Sequence, residues 1–125
     1  MSVDPLSCEF NRTLLAKLGR MKCRIVSDSM EPLLRVGDVV EIEPAKIEVL
    51  RRFDILVFQQ YDKMLCHFLW NKNSTGKHPS ITTRSLKKPR ADDLPITPDL
   101  LLGRVVDRKL SGWTIAKIIL CNLSS

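Results

Sequence analysis

The stretch MKCRIVSDSMEPLLRVGDVVEIE, residues 21–43, indicates what kind of fold this chain adopts. It contains two short runs rich in Val, Ile and other apolar residues, at residues 22–26 and 39–43. Gly37 and Asp38 form a turn signal just before the second run. Short runs of this composition, bounded by turn residues, are typical of β-strands. We therefore predict a strand at each end of this stretch, joined by the residues between them.

The pattern continues along the chain, with turn residues such as Ser111-Gly112 separating the runs. A different periodicity precedes residue 21, where apolar side chains recur every four residues. Asp4-Pro5 before this segment is typical of a helix start, and Gly19 after it is typical of a helix end. We predict one helix over residues 4–19. Further strands are expected at residues 55–59, 63–70, 80–83, 101–108 and 113–119.

These elements predict a mainly β protein that forms one domain over residues 1–125. The β core would span residues 21–108 and fold as a β-barrel or a coiled sheet. Residues 109–125 would add either a hairpin strand or a helix. A chain of 125 residues suits a single core.

The formal net charge of +6 raises the question of an anionic partner. The basic residues are spread along the chain, however, so a solvated basic loop is the preferred interpretation and no specific nucleic acid partner is expected. The densest cluster is Arg84, Lys87, Lys88 and Arg90.

The cysteines and the apolar residues bear on location. Cys8, Cys23, Cys66 and Cys121 lack metal-ligand spacing, which predicts reduced thiols and no metal or other cofactor. No stretch approaches the roughly 20 apolar residues of a transmembrane helix. We therefore predict a soluble cytoplasmic protein with no transmembrane segment.

The chemistry is suggested by the segment Ser27-Asp28-Ser29-Met30-Glu31-Pro32. A serine followed by Met, any residue and Pro, with a Gly-Asp turn shortly afterwards, resembles the nucleophile segment of the signal peptidase I and LexA-type serine peptidases. The resemblance extends over residues 21–108 and implies the β fold of that superfamily. It also implies that Ser29 is the nucleophile, that the Ser27 hydroxyl and the Ser29 N–H hold the oxyanion, and that Met30 helps to shape the turn and the substrate groove.

A serine nucleophile needs a base within hydrogen-bond reach. In the family the base is a Lys or a His on a later apolar strand, and His67 in the run KMLCHFLW, residues 63–70, aligns with the Ser-His branch. The arginine that usually follows the base is Phe68 here. Lys63 is an alternative base, because an alternating strand would place it on the same face as His67. It is the weaker one, because it lies four residues early for the Lys branch of the family. His78, in a polar loop, is interpreted as a solvated side chain.

The run TTRSLKKPRADD, residues 82–93, followed by LLGRVV at residues 101–106, extends the resemblance. Asp92 or Asp93 aligns with the aspartate that orients the histidine, a role that selects the useful imidazole tautomer. The alternative is that both carboxylates only cap a loop. The family Gly-Asp has become Ser85-Leu86 here, and the glycine of a second family turn has become Phe53.

The resemblance implies a serine endopeptidase that cleaves a leader or a dedicated protein substrate. The peptide would lie extended along a strand edge, where main-chain pairing provides affinity. One alternative is a non-catalytic peptide-binding or protein-binding member of the same fold, in keeping with the altered family positions. A second is a LexA-like self-cleaving regulator. It is disfavoured because the residues before 21 hold one helix and no Ala-Gly or Cys-Gly site precedes Ser29.

Overall fold

The computed structural model describes residues 8–60, 63–73, 78–88 and 90–123. Short 3₁₀ turns at Ile47–Val49 and Pro98–Leu100 lie between strands. The helices and strands, in chain order, are α1 (Cys8–Leu18), β1 (Met21–Arg24), β2 (Val39–Glu43), β3 (Ile55–Gln60), β4 (Lys63–Asn73), β5 (Ser80–Arg84), β6 (Leu101–Val105) and α2 (Gly112–Leu123).

The six strands form one antiparallel sheet in the order β1-β2-β6-β3-β4-β5. The prediction of a mainly β fold is confirmed. β1 and β5 are the two edges, and in the described part of the chain they do not pair with each other. The sheet is therefore open, and the barrel alternative is wrong.

Each face of the sheet has its own apolar core. The central strand β3 is buried at four consecutive positions, Ile55 to Phe58, because both of its faces are covered. The first core receives Leu15 from α1 and Ile118 from α2. The second core lies on the opposite face and consists of Ile47, Leu50, Leu56, Phe58, Leu69, Ile81, Ile96 and Leu101.

Six of the seven predicted strands are present. The seventh is wrong, and the structure has the helix that was the alternative for residues 109–125. Residues 113–119 belong to helix α2, not to a strand. The Ser111 hydroxyl accepts a hydrogen bond of 3.1 Å from the Thr114 N–H, which is how a serine caps a helix N-terminus. Ile118 packs into the first core and Ile115 lies against it, three residues apart, as one side of a helix requires.

Phe53 occupies the position where the resembled family has a turn glycine. Its φ is +76°, in the left-handed region that usually favours glycine. Its ring packs against the rings of Phe68 and Trp70, with centroids 6.0 and 6.2 Å apart. The turn conformation is thus kept without the glycine, because aromatic packing offsets the backbone strain.

Gly103 allows a close approach between two paired strands. A Cβ at this position on β6 would overlap the carbonyl oxygen of Glu43 on β2. Glycine is therefore required for the contact between the outer strands and the centre of the sheet.

No helix in the described ranges is long and apolar enough to cross a membrane.

Candidate active site

The turn that carries the serines is fixed at its base by backbone hydrogen bonds. The Ile25 N–H donates to Asp38 O and the Gly37 N–H donates to Ile25 O, both at 2.8 Å. Gly37 has φ +97°, which glycine adopts without strain. Residues 27–36 consequently project from the end of β1 as a closed loop.

Met30 and Leu34 anchor this loop from the inside. Both side chains are buried in the first core, and the Leu34 N–H donates to Met30 O at 2.9 Å. The expectation that Met30 shapes the substrate groove needs correction, because Met30 is 1% exposed and does not line the cavity described below. Its apolar side chain supports the serine turn by packing.

His67 lies near the middle of β4, on the face that carries the second core. It pairs across the sheet with Leu56, and the edge of its ring meets the Phe58 ring with centroids 5.7 Å apart. Only 8% of the residue is exposed. Apolar neighbours on the sheet therefore fix the orientation of the imidazole.

Asp92 binds the imidazole through a short hydrogen bond, with Asp92 Oδ2 2.6 Å from His67 Nδ1. The Thr83 hydroxyl donates to the same carboxylate oxygen at 2.8 Å, and the Asp92 N–H donates to Thr83 O at 2.8 Å. Thr83 is fully buried. The carboxylate is thus held from two sides, by a side chain of β4 and by the end of β5.

The pKa of the Asp92 carboxyl reflects these contacts. Burial acts to raise this pKa, but the hydrogen bond and charge of His67, the Thr83 hydroxyl and the charge of Lys88 together hold it below its usual value. Asp92 is therefore an anion at neutral pH. An anionic acceptor at Nδ1 favours the tautomer with its proton on Nδ1, which leaves Nε2 as the proton acceptor.

The serines and the His67–Asp92 pair line one cavity of about 520 Å³. It lies between the serine loop, β4 and the segment after β5. Its wall is polar at the serine and histidine side and basic at Lys88 and Arg90. The lining residues are Ser27, Ser29, Gln60, Leu65, His67, Ser85, Lys88, Arg90, Ala91, Asp92, Asp93 and Leu94.

The Ser29 hydroxyl is hydrogen-bonded to the Ser27 hydroxyl, with 3.1 Å between the oxygens. Within the described residues, no hydrogen bond joins Ser29 to His67, and none uses the Ser29 N–H as donor. The Ser29 carbonyl accepts a bond of 3.0 Å from the Leu86 N–H, which ties the serine turn to the end of β5. Hydrogen bonds between catalytic groups are often long or absent before substrate binds.

The remaining candidates lie further from the imidazole contact. Asp93 is exposed at the cavity wall, and Asp92 alone of the two acids contacts His67. Lys63, the alternative base, begins β4, and its side chain lies outside the described residues. His78 is exposed and is not one of the residues that line the cavity.

Two site residues were missed at the sequence level, Thr83 and Ser85. Thr83 pairs with Leu69 in the β4–β5 register, and Leu69 lies two residues after His67, so Thr83 shares the histidine's face. Alternation along β5 would predict that Thr83 lies on the face of His67 only if the register between β4 and β5 were already known. Ser85 is buried in the cavity wall and its hydroxyl accepts a bond from the Lys88 N–H.

Neither of the two buried cysteines that the structure describes lines this cavity. Cys23 and Cys66 are buried thiols of the first core, and burial raises the pKa of Cys23 to about 11 and that of Cys66 to about 12. Among the described residues, no group of three His, Cys, Asp or Glu side chains could hold a metal ion.

Comparisons of the chain with protein-family models, curated proteins and solved structures find no match. The geometry of the cavity therefore carries the functional argument.

Proposed function

We propose that this protein is a serine-type endopeptidase related to the signal peptidase I and LexA-type enzymes. The observation that carries the proposal is the 2.6 Å contact between His67 Nδ1 and Asp92 Oδ2 in a cavity that Ser29 also lines. A buried imidazole with an anionic partner on one nitrogen is arranged to accept a proton on the other.

The reaction follows from these positions. Ser29 Oγ attacks the scissile carbonyl carbon while His67 Nε2 takes the hydroxyl proton. That proton then passes to the leaving amine as the C–N bond breaks, which leaves an ester on Ser29. Water, deprotonated by His67, hydrolyses the ester and restores the serine.

The oxyanion would be held by the Ser29 N–H and the Ser27 hydroxyl. The Ser29 N–H makes no hydrogen bond within the described residues, so it is available to the substrate. The Ser27 hydroxyl already lies 3.1 Å from the attacking oxygen. To stabilise the developing charge, the Ser27 hydroxyl would turn from Ser29 to the carbonyl oxygen of the substrate.

The substrate proposed for this site is an extended segment of a leader or of a dedicated protein partner. An extended peptide would pair with a strand edge beside the cavity, and β1 is an edge strand that leads directly into the serine loop.

The decisive experiment is labelling with a fluorophosphonate, which reacts only with an activated serine hydroxyl. We expect the wild type to be labelled and to cleave a candidate leader peptide, and the Ser29→Ala variant to do neither. Ser80→Ala is the matched control, because Ser80 lies on β5 outside the cavity and its loss should change nothing. Labelling that persists in Ser29→Ala would contradict the assignment of the nucleophile.

A second candidate is a non-catalytic peptide-binding protein of the same fold. It is favoured by one observation: the Ser29 hydroxyl shares a 3.1 Å hydrogen bond with the Ser27 hydroxyl, and within the described residues none joins it to the imidazole. This candidate predicts that peptides bind in the cavity with no labelling of the wild type. Peptide binding measured by calorimetry beside the labelling assay separates the two.

A further inference from the structure

Helix α2 is apolar on two opposite sides. Ile115 and Ile118 face the first core, whereas Trp113 is 71% and Leu120 64% exposed. Trp113 and Leu120 are seven residues apart and so lie on one side of the helix, with Ile119, 40% exposed, at its flank. A helix with apolar residues on two opposite sides normally has both sides covered.

The exposed side of α2 is accompanied by positive charge. The Lys117 ammonium lies 5.5 Å from the centre of the Trp113 ring, so the cation and the exposed aromatic share one surface. Lys109 is exposed just before the helix, and the acidic partner that the described residues offer Arg108 is Asp107, at 3.6 Å. From residue 108 to the end of α2 the sequence contains no Asp or Glu.

Cations also lie at the other end of the helix. The exposed Arg52 stacks on the Trp70 ring, with 4.0 Å from its guanidinium carbon to the ring centre, and Arg84 lies over the same ring at 4.7 Å. Burial lowers the pKa of Arg84, while its neighbour Cys121 of α2 acts to raise it. Arg84 is 4% exposed, and among the described residues its Nη1 has no hydrogen-bond partner. No acidic side chain in the described ranges forms an ion pair with Arg52 or Arg84, so this end of α2 lies beside positive charge.

We propose that α2 is a membrane-surface helix that docks this protein on an anionic lipid bilayer. Trp113, Leu120 and Ile119 would enter the boundary between headgroups and acyl chains, while Lys117 and Arg52 reach lipid phosphates. Tryptophan is well suited to this depth, since its ring is apolar and its N–H is polar.

A second copy of this chain is a poorer occupant. It would bring the same cations and no acidic residue of α2 to the interface, and like charges across an interface oppose association. An anionic lipid surface complements both the apolar side chains and the charge. The proposal does not depend on the peptidase assignment, because neither Trp113 nor Leu120 lines the cavity.

The test is sedimentation of the full chain with vesicles of phosphatidylcholine alone or mixed equally with phosphatidylglycerol. We expect binding to the mixed vesicles, weakened by salt, with a shift of Trp113 emission to shorter wavelength. The double variant Trp113→Ser with Leu120→Ser should bind at least about tenfold more weakly. Lys117→Gln should weaken binding about fivefold on anionic vesicles only.

The matched control is Leu18→Ser with Val36→Ser, two residues that are 63% and 61% exposed outside α2. This variant should bind like the wild type, and equal circular dichroism would show that all variants fold. Absent binding to the mixed vesicles, or equal binding by the Trp113 and Leu120 variant, would overturn the proposal. So would self-association that the same variant abolishes in sedimentation velocity, since that result would assign the surface to a second copy.

Discussion

The two halves of the cavity differ in how firmly their side chains are held. The histidine half is buried, and Asp92 Oδ2 receives hydrogen bonds from both His67 and Thr83. The serine half is a half-buried loop in which Ser27 and Ser29 bond to each other. The comparison teaches that the proposed base is held in place by its contacts, whereas the proposed nucleophile would still have to turn toward it. Rotation about the Ser29 side-chain bond moves its hydroxyl between rotamers at little energetic cost.

The largest expected loss of activity comes from a substitution of Asp92 in the histidine half of the cavity. Asp92→Asn keeps the shape but removes the anion that selects the imidazole tautomer, so we expect kcat/KM for a cleaved peptide to fall about 10⁴-fold. The rate of fluorophosphonate labelling should fall with it.

Asp93→Asn is the control for this change, since Asp93 lines the same cavity without contacting His67. We expect its kcat/KM to stay within about twofold of wild type, as for an exposed residue without a structural role. A larger loss in Asp93→Asn than in Asp92→Asn would mean that the observed carboxylate contact is not the one used in catalysis.

The next largest effect is expected from a substitution of Ser27 in the serine half of the cavity. Ser27→Ala removes both a proposed oxyanion donor and the hydroxyl that now binds Ser29. If stabilisation of the oxyanion dominates, kcat should fall about 10²-fold with little change in KM. Faster labelling in Ser27→Ala would instead show that the Ser27 contact restrains the nucleophile, and would favour the binding-protein alternative for the wild type.

The smallest effect tests how Asp92 is supported. Thr83→Val deletes a hydroxyl that bonds a carboxylate, and we expect about a tenfold loss of kcat/KM and about 1–2 kcal/mol lower free energy of unfolding at pH 7. Thr83→Ser keeps the hydroxyl and should recover most of both. Urea unfolding and peptide cleavage measure the two quantities.

The pH dependence of that stability has a defined sign. The pKa of Asp92 is lower in the folded protein than its usual 3.8, so its stabilisation is complete above that value and is lost as the pH falls through the folded pKa. Thr83→Val should raise the folded pKa, so the loss should be smaller than in the wild type and complete at a higher pH. Identical acid unfolding profiles would show that Thr83 does not support the carboxylate.

Much of the fold could be predicted from local patterns. Turn residues separate the strand runs, and alternation on β1, with Met21 and Cys23 buried, matches a sheet edge with one covered face. The run at residues 113–119 misled because Trp113, Ile115, Ile118 and Ile119 are residue types that strands also favour. A short, uniformly apolar run does not distinguish a strand from a helix.

The site could be predicted only in part. The two serines, the histidine and a pair of acids were identified, but the choice of Asp92 over Asp93 depends on the path of the loop after β5. Thr83 could not be found, because its face is set by a strand register that shifts between Leu69 and Asn71. The missing turn glycine was also misleading, since Phe53 keeps the left-handed conformation.

The segment that leaves β5 has two fixed points, the Leu86 N–H bound to Ser29 and the Asp92 N–H bound to Thr83. Lys88 and Arg90 lie between these two anchors in the sequence and line the cavity. Substitutions at these two positions could therefore change the charge of the cavity wall while both anchors, which are backbone hydrogen bonds, remain. If the proposed function is correct, this is where the preference for a substrate can change without moving Ser29 or Asp92.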